Sequence, residues 1–235
     1  LFPKLCHSRR RRWPHVLLGD VVLSFYLGAS QTQPSDLHVV QPNRGNDATI
    51  HDVQWPGYPF RFEPYYGLRL SYNAPGHPQT RIVLDFTHYK IYALANQVVE
   101  QDGTWHGKPL HAAAPMRENV QSFEVTHGLN TLGLSLLQNI WGGSNGAYIG
   151  GGPVLYVPHS ENRVDGIAGG DRYGFATFGF QAHAGVRGCV SSHGLFAEAK
   201  YNSGKLVMPI AEGTAQTTVR TMHELAGFDF SPSCR

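Results

Sequence analysis

Eight separate segments of this chain alternate apolar residues with small or polar ones at a period of two, and this repeat excludes most folds. Successive side chains point to opposite faces only in an extended strand. The segments are residues 20–31, 65–73, 79–95, 122–139, 146–158, 174–187, 194–207 and 217–230. In the first, Val21, Leu23, Phe25, Leu27 and Ala29 share one face, and Val22, Ser24, Tyr26, Gly28 and Ser30 the other. In the fourth, Leu132, Leu134 and Leu136 oppose Thr131, Gly133 and Ser135. In the sixth, Phe178, Phe180, Ala182, Ala184 and Val186 oppose Gly179, Gln181, His183, Gly185 and Arg187.

Which face is inside follows from the polar rows. A soluble sandwich or lipocalin-like barrel turns its polar faces to water and fills them with Lys and Glu. Here those rows are Gly, Ser and Thr with a few strong charges, Arg69, Asp85, Glu198 and Lys200, and charged residues are only 15% of the chain. Soluble domains carry about a quarter. Such rows suit a narrow packed interior, with the apolar rows facing lipid. No run of ~18 apolar residues supplies a spanning helix, but a closed barrel spans with strands of ~10 residues. The expectation is an all-β, eight-stranded antiparallel outer-membrane β-barrel with short periplasmic turns and long extracellular loops. The connections agree: 74–78, 141–145 and 188–193 are short, whereas 32–64 and 96–121 are long. An even strand count puts both termini on the short-turn side. The last segment ends in Phe228 and Phe230, like the C-terminal insertion signal of such barrels, and residues 231–235 extend past it.

Residues 1–19 carry Arg9 to Arg12 followed by Trp13-Pro14 and match neither a complete signal peptide nor a strand. They are read as a basic periplasmic tail, docked on a protein partner through residues 9–14 or else a disordered arm. The divisions are thus tail 1–19, barrel 20–230 and C-terminal periplasmic tail 231–235. A net charge of +2 gives no case for nucleic acid. Cys189 falls in a short turn and Cys234 in the tail, where an oxidising periplasm permits a disulfide between them; Cys6 is on the same side and competes, and all three free is the alternative.

Thirteen histidines stand out. His88, His127 and His159 lie toward the loop-side ends of the third, fourth and fifth segments, with Glu161 two residues beyond His159. A His/Glu cluster at the outer rim can bind a transition metal or serve as acid and base. No local zinc spacing occurs, so such a site has to be assembled across strands. Arg69, Asp85, Glu198 and Lys200 read as an interior salt-bridge network, since buried charges must be paired. Tyr65, Tyr66, Tyr72, Tyr89, Tyr92 and Trp141 read as interfacial girdle residues. No nucleophile elbow, P-loop or dinucleotide fingerprint is present.

Several stretches resemble the bacterial lipid A oxidase family: Asp47 to Trp55, Pro64-Tyr65-Tyr66-Gly67-Leu68-Arg69, Leu84 to Lys90 with Asp85-Phe86-Thr87-His88, Thr126-His127-Gly128-Leu129-Asn130 and Val157-Pro158-His159-Ser160-Glu161. The resemblance runs from about Val21 to Phe230. It implies an outer-membrane enzyme that oxidises the proximal glucosamine of lipid A to 2-aminogluconate with dioxygen, releasing hydrogen peroxide and requiring a divalent cation. On that reading His88, His127, His159 and Glu161 hold the metal, Glu161 or His159 takes the proton of the anomeric hydroxyl, and Lys90 and Arg163 hold lipid phosphates. Two other functions fit the same pattern: a non-catalytic barrel acting as a structural or assembly partner, and a lipid A deacylase using Pro158-His159-Ser160-Glu161.

Overall fold

The computed structural model describes residues 20–61, 64–73, 76–77, 79–143, 145–190 and 193–230. Among them are twelve strands: β1 (Asp20–Gln41), β2 (Asn46–Trp55), β3 (Tyr66–Asn73), β4 (Thr80–Tyr92), β5 (Val98–Trp105), β6 (Lys108–Pro115), β7 (Val120–Asn139), β8 (Ala147–Val164), β9 (Ile167–Tyr173), β10 (Thr177–Val190), β11 (His193–Ile210) and β12 (Gly213–Asp229). Every ladder between them is antiparallel. Eight form a closed circuit, β1–β3–β4–β7–β8–β10–β11–β12, and β12 returns to β1 from Ser24↔Asp229 to Val40↔Thr214. These eight are the segments expected from the alternation. No helix is long and apolar enough to cross a membrane.

Two expectations are corrected. The connections 32–64, 96–121 and 159–173 are not simple loops. β1 runs ten residues past the expected end at Gln31, β2, β5 and β6 lie in succession beside its upper half, and β8 continues to Val164 before turning back as β9. The connection after the seventh segment is also short, because β11 and β12 extend to a turn at Ala211-Glu212.

The second correction concerns what faces inward. In the lower half of the ring the alternation reads as expected. Val21, Leu23 and Leu27 of β1, Leu68 and Leu70 of β3, Ile82 and Leu84 of β4, and Leu132, Leu134 and Leu136 of β7 are exposed, while Ser24, Arg69, Asp85, Thr131 and Ser135 are buried. In the upper half the sides exchange character. Leu37, Val39, Ile50, Val53, Phe123, Leu206, Met208 and Val219 form a buried apolar core, and Asp36, His38, Asp47 and His51 face out. Each such apolar side chain contributes about 1.5–3 kcal/mol on burial.

β1 makes this exchange with a bulge. Thr32 pairs with Thr221 and Leu37 with Thr217, five steps on β1 against four on β12. One extra residue reverses the strand's parity. Even-numbered residues point inward up to Ser30, and odd-numbered ones do so from Ser35 to Gln41. Pro34, which has no N–H to give a ladder, sits inside the irregular stretch.

Candidate functional sites

The interior of the lower half is one connected polar network. Arg69 of β3 donates from both terminal nitrogens to Glu198 of β11, at 2.8 and 2.7 Å, and Nη2 also reaches Asp85 of β4 at 3.4 Å. Lys200 donates to Asp85 at 3.1 Å and to Thr87, and the Tyr26 hydroxyl donates to Asp85 at 2.6 Å. Glu198 accepts from the Tyr148 hydroxyl at 2.7 Å and from His183 Nδ1 at 2.9 Å. His183 Nε2 lies 3.1 Å from the Ser135 hydroxyl, which in turn accepts from Gln181. The four charges singled out by alternation thus meet, because β3, β4 and β11 aim them at one axis. Glycine makes the space: a Cβ on Gly67 would stand 1.9 Å from Cζ of Tyr26, whose ring lies across β3 to reach Asp85.

A second cluster faces outward. Pro153, Leu155 and Val157 form the outer row of β8, and His159 and Glu161 continue it upward. β9 pairs back so that Glu161 faces Asp171 and His159 faces Tyr173. β7 brings His127 through an irregularity: Glu124 pairs with Glu161 and Leu129 with Pro158, five steps against three, so β7 carries two extra residues there. Gly128 adopts a φ of 111° in that stretch. A bulge of this kind re-aims a side chain. His127, between inward-facing Val125 and Leu129, stands exposed.

The result is His159 Nε2 at 2.6 Å from Asp171, and His127 Nδ1 at 3.3 Å from Glu161 and 3.8 Å from Asp171. One ligand atom from each of His127, His159 and Asp171 falls within 4.8 Å of the others, the one such group among the described residues. The Tyr173 ring stacks on His159 at 4.1 Å and 10°. Burial, and then the neighbouring Glu161, push the Glu124 carboxyl above its ordinary range, with Arg61 opposing.

Two imidazoles and a carboxylate suit zinc, copper or a similar divalent ion. This set differs from the expected one. His88 lies outside it, bonded through Nδ1 to Asn130 at 3.0 Å and stacked on Tyr66. Asp171 takes part, and sequence reasoning missed it because 159–173 was read as loop. A signal was present in Asp165-Gly166, both at positive φ (53° and 75°), the dipeptide of a two-residue hairpin turn. Lys90 is buried. Arg163 sits by the β8–β9 turn, donating to the Gly166 carbonyl at 2.8 Å. Cys189 is disulfide-bonded. Its expected partner Cys234, the competitor Cys6 and the basic run at 9–14 lie outside the described residues.

No protein-family model matches the chain, and no curated protein does. Among solved structures, Neisserial surface protein A (NspA) aligns over 87% of this chain and 95% of its own at 15% identity and a TM-score of 0.40. At that score the likeness carries no argument about this chain.

Proposed function

We propose that the chain is an outer-membrane β-barrel that oxidises lipid A, with its reaction centre on the outer wall at the level of the lipid headgroups. The observation that carries this reading is the position of His127, His159 and Asp171 directly above the exposed apolar rows, facing out. The membrane placement draws on the exchange of character along the wall. Leu132, Leu134 and Leu136, all exposed, are adjacent outward positions of one strand, and such rows recur around the closed circuit. A circuit without edges satisfies its backbone groups in hydrocarbon.

A substrate held in the outer leaflet approaches such a centre sideways. Its acyl chains lie along Leu155, Val157, Phe178 and Phe180, and its sugar reaches the His/Asp group and the exposed face of Tyr173. A bound divalent ion supplies Lewis acidity toward sugar oxygens. His127, His159 and Asp171 are the residues to hold it. Glu161, 3.3 Å from His127, is placed to take the anomeric hydroxyl's proton. The oxidation removes two electrons and two protons from the anomeric centre, which becomes the lactone carbonyl, and dioxygen takes them up as hydrogen peroxide. Water then adds to the lactone carbonyl and the ring C–O bond breaks, giving the 2-aminogluconate acid with a net gain of one oxygen.

The test is mass spectrometry of lipid A with a free anomeric hydroxyl, incubated in air-saturated buffer with purified, detergent-folded protein and a divalent metal. A gain of one oxygen on the proximal sugar, lost in His159→Ala, is expected. Folded wild-type protein that leaves lipid A unchanged, or that releases a free fatty acid instead, overturns the proposal.

A further inference from the structure

Leaving histidine aside, the described residues turn four cations and three anions into the lower bore: Arg69, Arg81, Arg187 and Lys200 against Asp85, Glu198 and Asp229. Three of the cations have a carboxylate. Arg69 holds Glu198 at 2.7 and 2.8 Å, Lys200 holds Asp85 at 3.1 Å, and Arg187 holds Asp229 at 2.8 Å through Nε and 2.5 Å through Nη2. Those carboxylates are then filled. Glu198 also accepts from Tyr148 and His183, Asp85 from Tyr26 and Arg69, and Asp229 from Ser24 at 2.7 Å. Arg81 is left without an anion among the described residues.

Arg81 is the second residue of β4, opposite Asn73 of β3 and Leu137 of β7, and is only 7% exposed. Its Nη2 donates to Asn139 Oδ1 at 3.2 Å, and its guanidinium carbon lies 4.8 Å from the Tyr148 ring centroid. Its Nε is buried and meets no acceptor. Tyr148 keeps Arg81 from Glu198, because the ring lies against the guanidinium while the hydroxyl is turned to that carboxylate. Of the two charges at this end of the bore, Arg187 acts on Arg81 more strongly than Asp229 does. Arg81, Asn139 and Arg187 lie near the short connections 74–79, 140–146 and 191–192. The spare cation therefore stands close to the aqueous phase at the short-turn end.

We propose that Arg81 and Asn139 form a site for one small oxyanion at the short-turn end of the bore, and that this anion completes the charge balance of the interior. A buried cation is costly unless an anion and hydrogen bonds accompany it. The guanidinium offers a planar fork of N–H groups that matches the oxygens of a phosphate or carboxylate. Asn139 accepts from Arg81 through Oδ1, so its amide nitrogen keeps both hydrogens to donate to the same oxyanion. Arg187, held in place by Asp229, adds a second positive charge nearby. The site lies at the opposite end of the wall from the outward His127, His159 and Asp171 group and does not depend on the reaction proposed for it.

Unfolding of the protein in detergent micelles, in inorganic phosphate and in a bulky sulfonate buffer of equal pH and ionic strength, tests this. Above its dissociation constant, each tenfold rise in phosphate should raise the folded-to-unfolded ratio of the wild type roughly tenfold. Arg81→Met should show no such response. In the sulfonate buffer Arg81→Met should be at least as stable as the wild type, because it removes a charge that has no anion there. Equilibrium dialysis should find one phosphate retained per wild-type barrel and none on Arg81→Met, and the wild-type measurement decides the matter even where the variant does not fold. The same phosphate response in both proteins, no phosphate retained by the wild type, or an Arg81→Met variant less stable than the wild type in sulfonate overturns the proposal.

Discussion

Replacing Arg69 by Met isolates what the interior network does. The substitution keeps an unbranched side chain of similar length and removes the guanidinium. Glu198 then loses two donors, at 2.7 and 2.8 Å, and retains the Tyr148 hydroxyl and His183 Nδ1. Asp85 loses only a 3.4 Å contact and keeps Lys200 and Tyr26. Breaking a buried pair by removing one partner costs ~3–5 kcal/mol, because a charge is left uncompensated. Two surviving donors put the cost here near the lower end, about 3 kcal/mol. Urea unfolding in micelles, followed by fluorescence of Trp55 and Trp105, measures it. A second arm separates charge from packing. Glu198→Gln placed on Arg69→Met removes the stranded anion and should recover roughly half the loss, ~1–2 kcal/mol. A stability for Arg69→Met within about 1 kcal/mol of wild type refutes the claim that these charges are mutually required.

Three further outcomes follow from the same geometry. Leu134→Arg, in the middle of an exposed apolar row, should cost ~2–4 kcal/mol in a bilayer, whereas His38→Arg on the polar upper wall should stay within about 0.5 kcal/mol in the same unfolding assay. Gly67→Ala places a Cβ 1.9 Å from the Tyr26 ring, so it should cost ~1–3 kcal/mol, and most of that should vanish when Tyr26→Ala is also present. Although partial burial pushes the Asp165 carboxyl up, hydrogen bonds from His106 and Arg44 hold it below 3.8. Its contribution is present above 3.8 and is lost as pH falls through the lowered value, so acid should broaden the backbone NMR signals of 44–46 and 106–107, and Asp165→Asn should show that state at neutral pH.

Alternation made the lower ring legible down to single residues. Arg69, Asp85, Glu198 and Lys200 were recognisable as one network because each is a charge in a row otherwise filled by Gly, Ser and Thr. The upper half was not legible for a physical reason. A period-two reading assumes constant parity, and the extra residue between Thr32 and Leu37 reverses it. It also assumes that one side stays apolar, whereas Leu37, Val39, Leu206 and Met208 continue inward rows that hold Ser24, Tyr26, Lys200 and Asn202 lower down. The outward cluster was half legible. His127, His159 and Glu161 stood in strand-end positions, but Asp171 reaches His159 only because of the β8–β9 turn, and His88 faces Asn130 instead.

A wall whose outer face is apolar below and polar above must change its contents at one level, and strict alternation cannot make that change by itself. A regular strand keeps each parity on its own side for its whole length, so an exchange of environment has to be accommodated by residues that break register or change type. In this chain the register shifts between Thr32 and Leu37 of β1, between Tyr89 and Ile91 of β4 and between Glu124 and Leu129 of β7 fall where the outer rows turn from apolar to polar. These are also the places where a side chain escapes the alternation: His127 is exposed between two buried neighbours of its own parity. The break that accompanies this change thus frees side chains at the level where the outer face turns from apolar to polar, which on the proposed reading is the membrane surface. A reaction on a lipid headgroup requires its ligands and bases at that same level.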